Sequence, residues 1–163
     1  IIFMFNLIIK DILDQYNFLK YDSKHVKLIN IIIFVIINRL LFITVRLTNH
    51  CNKKTINDLY IDLAMKIELP QLEYSLDDIN NIKSINNLIR NIYYQNIASV
   101  LDINKSTIIK ISKLAIFIIK YLIQKGNKNN QLDNDLILND LKTLNKDLYS
   151  YLINKYSLTP LHI

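Results

Sequence analysis

Side chains that could ligate a metal or act as nucleophiles are few in this sequence. His50 and Cys51 are adjacent, while the other two histidines, His25 and His162, are far from them along the chain. A zinc site needs three or four ligands. Counting residues leaves a cysteine–histidine nucleophile open, but nothing in the polar stretch around this pair supports one. We therefore expect neither a metal nor a cofactor.

Carboxylates that could perform acid–base catalysis occur at Glu68, Glu73, Asp77 and Asp78. They fall at expected helix starts and in loops, where acidic side chains stabilise the helix dipole. A single glycine in 163 residues also rules out a glycine-rich phosphate loop. These observations favour a protein that is not an enzyme.

A third set of polar side chains has the chemistry to contact nucleic acid. Hydroxyl and ammonium groups recur along one helical stretch, at Lys105, Ser106, Thr107, Lys110 and Lys113. On an exposed helix face, such groups can contact phosphates and the edges of bases. The set belongs to a longer segment, Tyr94 to Leu114, with the sequence YQNIASVLDINKSTIIKISKL.

The segment Tyr94 to Leu114 resembles the helix-turn-helix of DNA-binding proteins. Ala98 provides the small residue at which two helices can cross, and Asn104 can cap the second helix. Apolar residues flank the turn at Ile97, Leu101, Ile103, Ile108 and Ile111. Asp102 stands where glycine is usual, and aspartate tolerates left-handed backbone. The resemblance covers 21 of 163 residues and indicates no particular family. It implies that the five polar side chains above point outward.

An alternative interpretation of the same segment is an ordinary pair of core helices. Ile109 stands where an exposed polar residue is expected, and the pattern stays apolar from Leu114 to Ile119. A helix buried along that length would belong to the core and would not read bases.

The composition predicts a helical fold. Apolar residues make up 51% of the chain and charged residues 21%, with one glycine and two prolines. Tight hairpins usually need glycine, so helices with Asn-, Asp- and Lys-containing loops are easier to build. We expect an all-α protein, a compact bundle of about six helices that includes the helix-turn-helix-like pair.

Helical spacing and capping residues locate the predicted elements. A helix from Leu7 precedes a long one from Ser23 to about Thr48, and two more begin at Thr55 and after Ser75. Gly126 is placed as the residue that ends a helix. We predict a helical core over residues 1–126, a linker or loop over 127–135, and a C-terminal amphipathic helix over 136–163 on the same domain.

One stretch of the second helix is apolar enough to raise the question of a membrane. Ile29 to Leu47 is interrupted by Asn30, Asn38 and Arg39, and an arginine in mid-span is costly. A central core helix is the prediction, and a membrane span remains the alternative.

Charge, cysteine content and codon bias bear on partners and compartment. The net charge of +6 permits nucleic acid as a partner. The lone Cys51 forbids an internal disulfide, so a reducing intracellular compartment is expected. Abundant Ile, Asn and Lys point to an A/T-rich genome such as that of a mitochondrion or a virus, and a first residue other than Met favours an organelle, where non-standard start codons are common.

Three functions follow as expectations, the third being a helical viral effector that binds a host peptide in a groove. The first is non-catalytic association with DNA or RNA through the helix-turn-helix-like unit. The alternative is a structural or adaptor subunit that contacts mainly protein partners in an organellar ribosome, a respiratory complex or a viral particle. A chain with much apolar and little charged surface favours the second, because partners would cover that surface.

Overall fold

The computed structural model describes residues 4–97 and 100–158. Over these residues the protein is 70% helical and forms seven α-helices. The prediction of an all-α fold is confirmed, with one helix more than expected.

The helices and strands follow one another in this order. The helices are α1 (Asn6–Asp14), α2 (Ser23–His50), α3 (Asp58–Glu68), α4 (Lys83–Ile92), α5 (Lys105–Gly126), α6 (Asn134–Leu144) and α7 (Lys146–Tyr156). A π-helical turn, Tyr93–Ile97, extends α4. The strands have two residues each: β1 (Thr55–Ile56), β2 (Asp102–Ile103), β3 (Asn127–Lys128) and β4 (Gln131–Leu132).

The chain divides into two units. Unit 1 comprises the described parts of residues 1–35 and 118–163, and unit 2 those of residues 36–117. The long helices α2 and α5 each span both units. Residues 23–35 of α2 and 118–126 of α5 belong to unit 1, and the rest of the two helices belongs to unit 2. Each unit is described by itself below.

In unit 1, a β-hairpin connects α5 to α6. Asn129 and Asn130 adopt positive φ angles of 53° and 62° and form the turn between β3 and β4. Lys20 joins the hairpin, because its N–H donates to the Asn130 carbonyl at 2.7 Å and its carbonyl accepts from the Leu132 N–H at 3.0 Å. Asparagine thus provides the left-handed turn that glycine would otherwise supply.

Gly126 ends α5 as predicted, but for a different reason. Its φ is not positive, so it is no left-handed cap. A Cβ at this position would lie 2.5 Å from Cγ1 of Ile137 on α6. Close packing of α6 against the end of α5 therefore requires a residue without a side chain.

The C-terminal region of unit 1 differs from the prediction of one helix. The helix breaks at Asn145, whose backbone is extended and whose side chain accepts from the Leu148 N–H at 3.0 Å. Asn145 therefore ends α6 and caps α7. A residue type that bonds its own neighbouring backbone favours such a cap over a helix interior.

In unit 2, two helix starts also differ from the predicted ones. Thr55 lies in β1, and Asn57 caps α3 by accepting from the Leu59 N–H at 3.1 Å. Ser75 caps no helix, since its hydroxyl lies 3.3 Å from the Asp77 carboxylate. α4 begins only at Lys83.

The helix α2 is long and apolar enough to cross a membrane by length and composition. Its most apolar 18-residue stretch has a mean hydropathy of 2.5, and 67% of that stretch is buried inside the protein. A central core helix meets the same criterion.

Candidate functional site

The segment that resembles a helix-turn-helix contains a strand in its connection. After the π-helical turn, β2 pairs in parallel with β1, with Thr55 opposite Asp102 and Ile56 opposite Ile103. The Asp102 N–H donates to the Lys54 carbonyl at 3.1 Å. The residue expected at the helix crossing, Ala98, lies outside the described residues, as does His162. The connection into α5 is therefore held by backbone pairing to β1.

Two of the predicted nucleic-acid contacts face α3. Thr107 is fully buried, and its hydroxyl donates to the Asp58 carboxylate at 2.7 Å. One helical turn on, the Lys110 ammonium pairs with Asp62 at 2.7 Å. Thr107 and Lys110 therefore tie α5 to α3 within unit 2.

The other three predicted contacts differ in exposure. Lys105 and Ser106 are exposed at the start of α5, and the Ser106 hydroxyl lies 3.5 Å from the Asp58 carboxylate. Lys113 is half-buried. Of the five side chains, Lys105 and Ser106 are the ones that the fold leaves exposed to solvent.

The electrostatics of this contact concentrate on Asp62. Burial raises the pKa of its carboxyl, but hydrogen bonds from Lys110 and Tyr74 outweigh burial, so the pKa is lowered overall. Burial and the hydrogen bond that its hydroxyl donates to Asp62 at 2.7 Å raise the pKa of Tyr74 in turn. The Asp62 carboxylate is thus neutralised by contacts inside unit 2.

On the opposite side of α3, unit 2 presents a groove that the sequence interpretation missed. Arg39 pairs with Glu68 at one end of the two helices, and Cys51 contacts the Tyr60 hydroxyl at the other. The C-terminal part of α2 and α3 therefore run antiparallel, joined by residues 51–57. Between them lies a cavity of about 350 Å³. We call it the apolar groove; its walls are Ile43, Arg46, Leu47, His50 and Ile67.

An exposed row of apolar side chains continues from the groove along α3. Leu59, Leu63 and Ile67 are 61%, 36% and 58% exposed, and their spacing of four residues places them on one helix face. We call this row the α3 stripe. On α2, Phe42 is 54% exposed and lies beside Arg46, whose guanidinium is 5.8 Å from the ring centre. Large apolar side chains therefore face solvent on both helices.

Positive charge borders this apolar surface. Arg46 lines the groove, and Lys66 is exposed beside Leu63 and Ile67 on α3. In the described part of the chain, the ion pairs within 4.0 Å include neither of these two cations. The carboxylates of α3 contact other groups: Asp58, Asp62 and Glu68 bind Thr107, Lys110 and Arg39. Lys66 adds an electrostatic attraction to Asp62.

One signal could have revealed this surface from the sequence. An amphipathic helix buries one apolar stripe, yet α3 has apolar residues on two faces. Tyr60, Ile61, Ala64 and Met65 form the buried face. Leu59, Leu63 and Ile67 form a second apolar face. A helix that packs against its own protein on one side only does not bury such a face.

Unit 1 has a polar cavity of about 350 Å³ at the start of α6. Positively charged lysines and negatively charged aspartates line it, together with His25 and Asn134. His25 is buried and accepts a hydrogen bond from the Asp22 N–H at 2.9 Å. Burial lowers the pKa of His25, and this outweighs the attraction of Asp22. The imidazole therefore serves as a hydrogen-bond acceptor for the backbone at the start of α2.

Neither a metal cluster nor a relative identifies the site. Among the described residues, no three His, Cys, Asp or Glu side chains lie close enough to hold a metal ion. No family model, curated protein or solved structure matches the chain.

Proposed function

We propose that this protein is a non-catalytic structural or adaptor protein that binds a protein partner through the apolar groove and the α3 stripe. One observation carries the proposal: an open apolar groove has Ile67 in its wall, and exposed Leu63 and Leu59 continue from it along one face of α3. Contiguous exposed apolar surface of this kind is typical of sites that another molecule covers.

The state of the α5 face supports a protein partner over nucleic acid. Thr107 and Lys110 are engaged with Asp58 and Asp62. A nucleic acid reading this face would have to break both contacts and approach two carboxylates. The groove, by contrast, is accessible without rearrangement of the described residues.

Positional photo-crosslinking in the native cells tests the proposal. A photoreactive residue at position 63 is expected to capture a discrete protein, and Ile67→Glu in the same chain is expected to abolish that product. Leu7 is 78% exposed in unit 1 and serves as the matched control position. Equal products from positions 63 and 7, or none from position 63, would contradict the proposal.

A second candidate is non-specific contact with nucleic acid, which one observation favours. Lys53, Lys54 and Lys105 are exposed where β1, β2 and the start of α5 meet. Ammonium groups in such an arrangement can neutralise phosphates without reading bases. Binding to duplex DNA or structured RNA that weakens with salt and is lost in Lys54→Glu/Lys105→Glu, but not in Lys10→Glu/Lys146→Glu, would support it.

A further inference from the structure

We propose that the occupant of the apolar groove is an amphipathic α-helix of a partner protein, with acidic residues beside its apolar face. This inference rests on the proposed function and specifies the chemistry of the partner. It is carried by the shape of the groove, by the spacing of the α3 stripe and by the charges at the rim.

The shape and length of the surface fit a helix. The groove lies between two antiparallel helices. A third helix can pack there, with its ridges of side chains placed between those of the other two helices. Leu59 and Ile67 are eight residues apart, which is about 12 Å along α3 at 1.5 Å per residue. A partner helix covers the same distance with apolar anchors spaced over about two turns, which is the usual pattern of helix-in-groove recognition.

The charge of the rim determines which helix fits. In the described part of the chain, neither Arg46 nor Lys66 forms an ion pair within 4.0 Å, and the electrostatic partner of Lys66 is Asp62, which Lys110 already binds. His50 adds an imidazole to the wall of the groove, and no carboxylate lines it. Carboxylates beside the apolar face of the partner would complement this rim, whereas lysines or arginines there would be repelled.

Two other occupants fit this surface less well. A second copy of this chain, docked groove to groove, would bring Arg46 and Lys66 towards their own counterparts. An anionic membrane would be attracted by the charges, but a flat interface would leave the walls of the groove uncovered. The apolar walls Ile43 and Leu47 are set inside a concave cavity.

Binding of designed helical peptides to the purified full chain tests the inference. Four peptides of equal length are compared by fluorescence anisotropy. Three share one apolar face and carry Glu, Gln or Lys beside it, and the fourth has the Glu composition with its apolar face scrambled. The Glu peptide is expected to bind at least about tenfold more tightly than the Lys peptide, and the scrambled peptide not at all.

Two sets of variants locate the binding site. Arg46→Gln/Lys66→Gln is expected to weaken binding of the Glu peptide about 2- to 30-fold, because two exposed ion pairs contribute on that order. Lys10→Gln/Lys146→Gln removes two exposed charges from unit 1 and is expected to change nothing. Leu63→Ser is expected to weaken all peptides that share the apolar face. Circular dichroism and thermal unfolding of each variant confirm that it is folded.

Each contrary outcome has a distinct meaning. If the Gln and Lys peptides bind as tightly as the Glu peptide and Leu63→Ser weakens all three, the acidic preference is wrong and the protein-docking function stands. If no peptide binds, helix recognition is overturned, and the crosslinking at position 63 decides the function independently. Vesicles of phosphatidylserine and phosphatidylcholine complete the test. Vesicle binding that depends on Arg46 and Lys66, without peptide binding, would overturn the inference in favour of a membrane.

Discussion

Substitutions on α5 should separate residues that hold the fold from residues available to a partner. Thr107→Val removes a buried hydroxyl that donates to Asp58 at 2.7 Å. Hydrogen bonds to charged groups contribute about 1.5–3 kcal/mol. Asp58 is half-exposed, so water can replace part of the loss, and we expect a cost of about 1–2 kcal/mol. Lys110→Met breaks an ion pair whose side chains are 20% and 41% exposed, so it should cost at most about 1 kcal/mol.

The matched control for these substitutions is Lys105→Gln, at an exposed position on the same helix. It should change the free energy of unfolding by less than about 0.5 kcal/mol. Urea unfolding of the purified chain measures all three variants, and each kcal/mol corresponds to roughly 2–4 °C in Tm for a chain of this size. If Thr107→Val and Lys110→Met unfold like the unmodified chain but lose binding to nucleic acid, the face is open and our reasoning about it is refuted.

Three further predictions concern the folded state. Gly126→Ala should lower the free energy of unfolding by about 1–3 kcal/mol, because its Cβ would meet Ile137 at 2.5 Å. Combined with Ile137→Ala, it should cost less than the sum of the two single changes. Additive costs would contradict the close packing of the two residues. Burial lowers the pKa of His25 from its ordinary 6.5, so near and below that pH the unfolded chain binds more protons than the folded chain. The free energy of unfolding should therefore fall as pH decreases from 7 to 5. If it falls as steeply in His25→Asn, the effect comes from other groups. Tyr93→Phe should cost about 1 kcal/mol in urea unfolding by removing the hydrogen bond to the Leu101 carbonyl at 2.6 Å, and an unchanged midpoint would contradict it.

The sequence was informative wherever one local rule decided the structure. A single glycine and an apolar helical period predicted the all-α class, and Ser23 marked the start of α2. The rules failed where two of them competed. Asn145 lies inside an apolar pattern that continues from α6 into α7, yet its side chain caps α7 and the helix breaks.

Predicting the site failed for a different reason. Thr107 and Lys110 are three residues apart, the spacing of one helix face, and the sequence does not reveal that α3 places two carboxylates opposite them. Polar residues on a helix are compatible with both solvent and an internal contact. The long-range pairing of β1 with β2 brings α3 beside α5, and this decides between a face exposed to solvent and a face in an internal contact.

The distribution of charge changes what the net charge of +6 implies about partners. On α3, the three carboxylates are engaged by Thr107, Lys110 and Arg39, while Arg46 lines the apolar groove and Lys66 lies on α3 beside the α3 stripe. Positive charge beside apolar surface selects a partner that carries both acidic and apolar groups. Phosphate contacts would make affinity fall steeply with salt, in proportion to the number of contacts. A partner helix held in the groove by apolar anchors should lose, at high salt, only the affinity contributed by the two rim charges. A shallow dependence of affinity on salt therefore distinguishes an acidic helix from nucleic acid.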